Sequence, residues 1–183
     1  MGRFWEDYRV GEKVKSYGRQ MTEADIRFLI ACVGGSHPLH TDPIYCKGRP
    51  DIGRPIMPGS MILGWMDACF HDHMCPGTEV LFFPEGYEKI RFIRPVYEND
   101  VLTDEFEVTG VEERDGKFGR VHCSQTVKNQ EGEVVGFAKE TFLVEKRHGM
   151  VKGKRQFAAA ERMVIAEKGA TEKGGTDGCQ AVF

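Results

Sequence analysis

The second half of the chain alternates between apolar and polar residues, which is the pattern of half-buried β-strands. Segments of this kind cover residues 80–83, 87–93, 101–111, 120–128 and 134–144. Asp115-Gly116 is a strong hairpin signal, and a second polar turn covers residues 129–132. The pattern therefore predicts a run of four or five antiparallel strands.

Two helical segments precede these strands. Thr22 is typical of a helix N-cap, and Gly34-Gly35 ends the helix that it begins. The apolar residues of this helix recur at helical spacing: Ile26, Leu29, Ile30 and Val33. Residues 60–73 carry apolar side chains on more than one side, which predicts a helix buried on most of its surface. Together the segments predict an α+β fold, an antiparallel sheet wrapped around a long central helix.

A long segment rich in Pro, Gly and polar residues, residues 36–59, connects the two helices. A loop of this length inside a compact domain is usually functional or disordered. Its two histidines and interleaved apolar residues favour the functional alternative, with at most short helical turns.

Composition narrows the classes of function. The chain has 183 residues and a net charge of -3, so no overall field favours nucleic acid. It has no N-terminal apolar signal and no run of about 18 apolar residues, so we expect a cytoplasmic protein without a membrane partner. Its six scattered cysteines form no CxxC pair, which favours reduced thiols and no metal site.

The character of the sequence changes after residue 145. A basic cluster is followed by an Ala-rich segment at 157–167 that is compatible with a short helix, and then by a Gly-rich end. The cluster consists of Lys146, Arg147, Lys152, Lys154 and Arg155. We therefore expect one folded domain over residues 1–145 and a basic, partly flexible extension over residues 146–183.

Three motifs of the first domain resemble those of the MaoC-like (R)-specific enoyl-CoA hydratases. They are GGSHPLHTDP, GRPIMPGSMILGWM and RFIRPVYENDVLTDEFEV, in the order that the family has. The resemblance covers residues 4–145. It implies a hotdog fold, a homodimer with the acyl-CoA site at the dimer interface, and reversible addition of water to a 2-enoyl thioester. The coenzyme A would be part of the substrate, and no other cofactor is implied.

The resemblance also assigns roles to two residues. His40 occupies the position of the family histidine that activates water, a role that suits histidine near neutral pH. Gly59 begins the central helix, where its N–H is unpaired within the helix and the positive end of the helix dipole points outward. Such a donor stabilises negative charge on a thioester oxygen.

The sequence departs from the family at two positions. The family aspartate lies five positions before the histidine, where this chain has Gly35, and Pro58 replaces the histidine that precedes the family glycine. The segment IMPG instead resembles the VMPG of bacterial β-hydroxyacyl-ACP dehydratases. The acid and the histidine of those enzymes correspond to Gly64 and Pro50, so their chemistry does not transfer.

Asp67 is the carboxylate that could replace the missing acid. It lies eight residues after Gly59 on a flanking face of the central helix, at about the offset that one branch of hotdog thioesterases uses. It could equally be a structural residue that pairs with a cation such as Arg91. Three functions follow: a hydratase that uses His40 and Gly59, a thioesterase that uses Asp67, and a non-catalytic subunit that binds an acyl thioester or supports an active paralogue in a heteromer.

Further residues are candidates for holding the substrate. Ser36 and His37 flank the vacant acid position, and Tyr45 would line an acyl pocket. The cations available for the phosphates of coenzyme A are Arg54, Arg91 and Arg94, with Lys47 and Arg49 nearby.

Overall fold

The computed structural model describes residues 2–35 and 37–147. The helices are α1 (Glu23–Val33), α2 (Pro38–Thr41), α3 (Pro43–Lys47) and α4 (Gly59–Cys69). The strands are β1 (Lys13–Lys15), β2 (Arg19–Gln20), β3 (Phe82–Phe92), β4 (Val101–Glu113), β5 (Phe118–Lys128) and β6 (Val134–Glu145). Ser36 and most of the predicted C-terminal extension, including its helix at 157–167, lie outside the described residues. The predicted boundary at residue 145 therefore stays a prediction.

The strands form one antiparallel sheet in the order β1-β4-β5-β6-β3, with β2 also paired to β4. The three long strands β4, β5 and β6 follow each other along the chain as hairpins. The predicted turn at Asp115 is confirmed: its carboxylate accepts the backbone N–H groups of Lys117 and Phe118 at 2.7 and 2.8 Å. The register of this part of the sheet thus follows from short-range turn chemistry.

The prediction of two separate strands at 80–83 and 87–93 is wrong. The chain forms one strand, β3, whose register shifts between Pro84 and Gly86 and again between Glu88 and Arg91. In the described part of the sheet β3 lies at the edge and pairs only with β6. An edge strand tolerates a proline and bulges, so the residues that signal a break only bend the strand.

The central helix α4 packs against the sheet and forms the middle of the core. Its buried residues are Met61, Ile62, Trp65, Met66 and Cys69. The predicted helix over 60–73 changes character part-way: the α-helix ends at Cys69 and continues as a π-helical turn, Phe70–Met74. That turn buries Phe70 completely, and its ring stacks on Phe142 of β6. The apolar residues on several sides of this segment therefore reflect true burial.

Helix α1 begins and ends where the sequence predicts. The Thr22 hydroxyl accepts the backbone N–H of Asp25 at 3.2 Å, and the Asp25 carboxylate accepts the N–H of Thr22 at 3.1 Å. Gly34 ends the helix in the left-handed conformation, with φ at 69°. Of the predicted apolar face, Ile26 and Ile30 are buried. Leu29 and Val33 are exposed because α1 lies at the surface and only one of its edges meets the core.

The cysteines in the described residues are free thiols. Cys46, Cys69, Cys75 and Cys123 are buried and Cys32 is exposed, which confirms the prediction of mostly buried thiols for these five, while their reduced state stays a prediction. Burial raises the pKa of Cys69 to about 12. Among the helices of the described residues, none combines the length and the apolar character that crossing a membrane would require.

Candidate active site

The loop predicted to be functional folds into two short helices that its own polar residues hold in place. His37 precedes α2, and its Nδ1 accepts the backbone N–H of Leu39 at 3.1 Å. Asp42 precedes α3, and its carboxylate accepts the N–H groups of Ile44 and Tyr45 at 2.8 and 3.1 Å. Each helix has proline at its first position, where the missing N–H costs nothing. The loop therefore has a defined shape.

His40 is tied to the segment that leads into α4. Its Nδ1 lies 2.8 Å from the carbonyl oxygen of Ile56, and the N–H of Ile56 donates to the carbonyl of Leu39 at 3.2 Å. A carbonyl oxygen can only accept, so Nδ1 carries a proton, and in the neutral imidazole Nε2 is the nitrogen with the lone pair. His40 is thus bonded to Ile56, which lies three residues before Gly59 in the chain.

Gly59 is the first residue of α4. Its N–H lies in the first turn, where no helical carbonyl is available to accept it. A β-carbon at this position would lie 2.6 Å from the ring of Phe92, so a larger residue would require that ring to move. The neighbouring Met57 is fixed by a hydrogen bond from its N–H to the carbonyl of Val96 at 2.8 Å. The predicted oxyanion donor therefore follows a segment whose backbone is bonded to the His40 loop at Ile56 and to Val96 at Met57.

This chain has glycine, Gly35, and therefore no carboxylate at the position of the family acid. Gly35 lies just after α1, and its N–H donates to the carbonyl of Ile30 at 3.0 Å. Across residues 2–35 and 37–147, no carboxylate forms a hydrogen bond or an ion pair with His40. A β-carbon at Gly35 would meet the side chain of Ile30 at an ordinary 3.6 Å, so the fold has room for a side chain there.

Asp67 belongs to a different polar group, near the C-terminal end of α4. Both of its oxygens accept the hydroxyl of Tyr87 on β3, at 2.5 and 2.6 Å. Glu140 on β6, opposite Tyr87, accepts Gln125 Nε2 at 2.5 Å. Burial, and then the neighbouring Asp67, raise the pKa of Glu140 to about 9, so this carboxyl is neutral at neutral pH. The suggested pairing of Asp67 with Arg91 is wrong, because Asp67 is paired with Tyr87.

A further buried carboxyl lies on β4. Asp104 is completely buried, and within the described residues neither of its oxygens has a hydrogen-bond partner. Burial raises its pKa to about 8, and nearby backbone N–H groups of Glu105 and Thr126 offset this only in part. Asp104 is thus a neutral acid inside the apolar core at neutral pH.

The model of the MaoC like domain family matches residues 7–131. The chain belongs to the MaoC-like domain family. A structure described as the monoamine oxidase regulatory protein of Archaeoglobus fulgidus is 30% identical, with a TM-score of 0.69 over 79% of this chain and 95% of that one.

Two solved hydratases are also similar to this MaoC-like domain. The R-hydratase PhaJ1 from Pseudomonas aeruginosa is 25% identical, with a TM-score of 0.65 over 79% of this chain and 86% of its own. The (R)-hydratase from A. caviae involved in PHA biosynthesis is 22% identical, with a TM-score of 0.62 over 75% and 97%. The predicted hotdog fold is confirmed. No curated protein matches the sequence.

The predicted substrate-binding residues of the MaoC-like domain do not all lie together. Tyr45 and His37 form one group near His40, with ring centroids 6.0 Å apart. The guanidinium of Arg54 lies 4.3 Å from the ring centroid of Tyr97. Arg91 and Arg94 are exposed at the end of β3 and after it, and Arg94 pairs with Glu133. Their part in binding coenzyme A stays a prediction, as does that of Ser36, which lies outside the described residues.

The buried acids of the MaoC-like domain were not predicted, although the sequence carries the signal. Asp104 alternates in step with Leu102 and Phe106, and Glu140 alternates in step with Ala138 and Phe142. Alternation places such residues on the apolar face of a strand. Their placement relative to each other depends on the pairing of both β4 and β6 with β5, which no local pattern reveals.

Proposed function

We propose that this chain is a hydratase or dehydratase that catalyses reversible addition of water to a 2-enoyl-CoA. Membership of the MaoC-like family and the likeness to R-hydratase PhaJ1 support the reaction class. The observation that carries the proposal is the hydrogen bond from His40 Nδ1 to the carbonyl of Ile56. This bond leaves Nε2 of the neutral His40 ring as the nitrogen that can act as a base. It also ties the His40 side chain to Ile56, in the segment that leads to Gly59.

In this reaction the thioester oxygen accepts a hydrogen bond from the N–H of Gly59. This contact draws electron density from the β-carbon and stabilises the enolate that forms when water attacks. His40 Nε2 takes a proton from water while the water oxygen bonds to the β-carbon. The resulting imidazolium then gives its proton to the α-carbon, which completes the addition. Dehydration follows the same steps in reverse.

The substrate would be held by residues on both sides of His40. Tyr45 and His37 are proposed to contact the acyl group, with Ser36 beside them. The guanidinium groups of Arg54, Arg91 and Arg94 are proposed to hold the phosphates of coenzyme A, which bidentate donors suit. The guanidinium of Arg54 lies over the ring of Tyr97, a cation–π contact that favours this position of its charge.

We also propose that the active form is a homodimer or a higher hotdog oligomer. In the described residues β3 has a partner strand on one side only, and the exposed apolar side chains Phe83, Phe92 and Ile93 lie on or beside it. An open apolar edge of this kind invites pairing with another chain. Static light scattering of the purified chain would give the mass, and co-expression with a MaoC-like paralogue would reveal a heteromer.

Incubation with crotonyl-CoA tests the reaction. We expect the enoyl absorbance to fall without release of free thiol. His40→Ala should lower the rate at least about 100-fold, because it removes the acid-base group. His122→Ala is the matched control: His122 lies on β5, bonded to the Thr141 hydroxyl, and this variant should keep the full rate.

Each other result points to a named alternative. Hydration that survives in His40→Ala would refute the role of this residue. Thiol release without hydration would indicate a thioesterase, with Asp67 as the acid to test next. Binding of acyl-CoA without turnover of a broad acyl panel would indicate a non-catalytic subunit.

A further inference from the structure

A short segment of the chain, residues 52–56, carries two groups that matter to the proposed reaction. One is Arg54, a proposed ligand of the coenzyme A phosphates. The other is Ile56, whose carbonyl oxygen accepts the hydrogen bond from His40 Nδ1 at 2.8 Å. A single proline separates Arg54 from Ile56, and the whole 52–56 segment is half-buried or exposed. The contacts that hold this segment therefore set the relation between the phosphate ligand and the base.

Tyr97 contacts the 52–56 segment at three points. Its hydroxyl donates to the carbonyl oxygen of Ile52 at 3.1 Å, and the same oxygen accepts the N–H of Arg54 at 2.9 Å. The guanidinium carbon of Arg54 lies 4.3 Å from the centroid of the Tyr97 ring. The backbone of Tyr97 forms an antiparallel bridge with Ile56. Tyr97 thus touches the beginning, the middle and the end of the segment.

The backbone of Tyr97 is itself bonded to the start of β4. Its N–H donates to the carboxylate of Asp100 at 2.8 Å, and its carbonyl oxygen accepts the N–H of Asp100 at 3.2 Å. Asp100 is buried and directly precedes β4. Tyr97 therefore joins the 52–56 segment to the sheet, which provides the fixed point against which the segment is placed.

We propose that Tyr97 is a positioning residue that links the binding of a carrier phosphate at Arg54 to the orientation of His40. This inference rests on the proposed function, because it takes Arg54 as a phosphate ligand and His40 as the base. It deepens that function by naming a substrate class. Thioesters whose carrier holds phosphate groups, as coenzyme A does, react faster at saturation than thioesters of small uncharged thiols.

The physical link runs through the backbone of the segment. An aromatic ring contacts the face of a guanidinium and a phosphate contacts its N–H edge, so Arg54 can be held by both at once. The Arg54 N–H and the Tyr97 hydroxyl share the Ile52 carbonyl, which restrains the backbone together with the side chain. Ile56 follows two residues later and orients the His40 ring. A misplacement of about 1 Å can cost roughly 100-fold in rate, so this restraint should appear in kcat.

Two thioesters with the same acyl group provide the kinetic test. Crotonyl-CoA has phosphates on its carrier, and S-crotonyl-N-acetylcysteamine has none. In the parent chain we expect kcat to be at least about tenfold higher for crotonyl-CoA, because part of the carrier's binding energy is used to orient the base. Tyr97→Leu removes the ring and the hydroxyl but keeps the backbone bridge. It should lower kcat for crotonyl-CoA to about that of the short thioester, whose own kcat should change less than about twofold.

Further variants separate the contacts. Tyr97→Phe keeps the ring beneath Arg54 and should retain most of the difference in kcat. Arg54→Gln removes the phosphate ligand, so kcat for the two thioesters should become similar. Tyr17→Leu is the matched control, because Tyr17 is 85% exposed and lies between β1 and β2. It should leave both kcat values as they are in the parent chain. Circular dichroism of each variant establishes that it is folded.

Nitrogen NMR of the histidine rings provides a measurement that needs no turnover. Adenosine 3′,5′-bisphosphate carries phosphates of coenzyme A without an acyl group, and calorimetry establishes the concentration at which it saturates each protein. At saturation it should shift the ring-nitrogen resonances of His40 in the parent chain, and Tyr97→Leu should abolish this shift. The resonances of His122, whose ring is bonded to the Thr141 hydroxyl, should stay in place in both proteins.

The outcomes distinguish this link from the reaction itself. Equal kcat values for the two thioesters in the parent chain would overturn the link and leave the hydratase intact. A shift at His40 that depends on Tyr97, without hydration of any enoyl-CoA, would overturn the hydratase and leave the link. A bisphosphate that does not bind, or that shifts His40 equally in the parent chain and in Tyr97→Leu, would also refute the link.

Discussion

The buried carboxyl of Asp104 makes the stability of this chain depend on pH, and Asp104→Asn tests that dependence. The folded-state pKa is about 8, whereas an aspartate in an unfolded chain has a pKa of about 3.9. Because the folded-state value is the higher one, the folded state binds the proton more tightly than the unfolded state. The free energy of unfolding is therefore greatest at low pH and falls as pH rises between the two values.

The expected loss is large. Each pH unit within this interval lowers the free energy of unfolding by about 1.4 kcal/mol. Between about pH 5 and pH 8 the Asp104 carboxyl alone removes roughly 3–4 kcal/mol, a sizeable part of the 5–15 kcal/mol typical of a domain. Asparagine has nearly the same shape and does not titrate, so this loss disappears in the variant. Glu140, whose pKa is raised to about 9, would still contribute a fall in the same direction.

Urea unfolding measures the effect, with the fluorescence of Trp5 and Trp65 as the signal at several pH values. We expect the parent chain and Asp104→Asn to be similar near about pH 5, and the variant to be the more stable by several kcal/mol near about pH 8. Protein concentration is held constant, because oligomerisation shifts apparent stability.

Glu105→Gln is the matched control. Glu105 neighbours Asp104 on β4 but faces solvent, and its hydrogen bond from Lys128 lowers its pKa. Its removal should leave the fall in stability between about pH 5 and pH 8 in place. Parallel pH curves for the parent chain and Asp104→Asn would refute the reasoning, since Asp104 would then have an ordinary pKa in the folded state.

Three further variants test the site and its frame. Gly35→Asp restores the family carboxylate where a side chain fits, so the hydration rate with crotonyl-CoA should rise by about 100-fold relative to Gly35→Asn; equal rates in the two variants would contradict a role for that acid beside His40. Gly59→Ala pushes a methyl group into Phe92 and should lower the free energy of unfolding by about 1–3 kcal/mol. Phe92→Ala should lower the free energy of unfolding less in the Gly59→Ala background than in the parent chain, which a double-mutant cycle by urea unfolding measures. If the losses of the two substitutions simply add, the clash between the introduced methyl group and Phe92 is excluded. Thr22→Ala removes the N-cap of α1 and should cost about 1 kcal/mol in the same assay, whereas an unchanged stability would mean that α1 is held by its buried edge alone.

Local chemistry explains why much of the fold could be predicted from the sequence. The N-cap at Thr22, the end of α1 at Gly34 and the turn at Asp115 each depend on residues a few positions apart. The same holds for the alternation of β4, β5 and β6. Such signals are visible in a sequence because the interactions that they report are short-range.

The failures have a long-range origin. The apolar–polar pattern predicted two strands, at 80–83 and 87–93, but the sheet places one strand, β3, at an edge, where shifts of register are tolerated. The sequence indicates that Asp67 needs a polar partner. It does not indicate that the partner is Tyr87, because their contact depends on the packing of α4 on β3. His40 and Gly59 were located from motif resemblance, and the hydrogen bond that orients His40 depends on Ile56, sixteen residues away.

The frame around His40 is made of main-chain hydrogen bonds. Ile56 bonds to the backbone of Leu39, and Met57 bonds to the backbone of Val96. Main-chain groups are the same whatever the side chain, so substitutions nearby can change the chemistry without distorting the scaffold. A lineage with this architecture can therefore lose an acid at position 35, keep its shape, and regain or relocate the acid later by a single substitution.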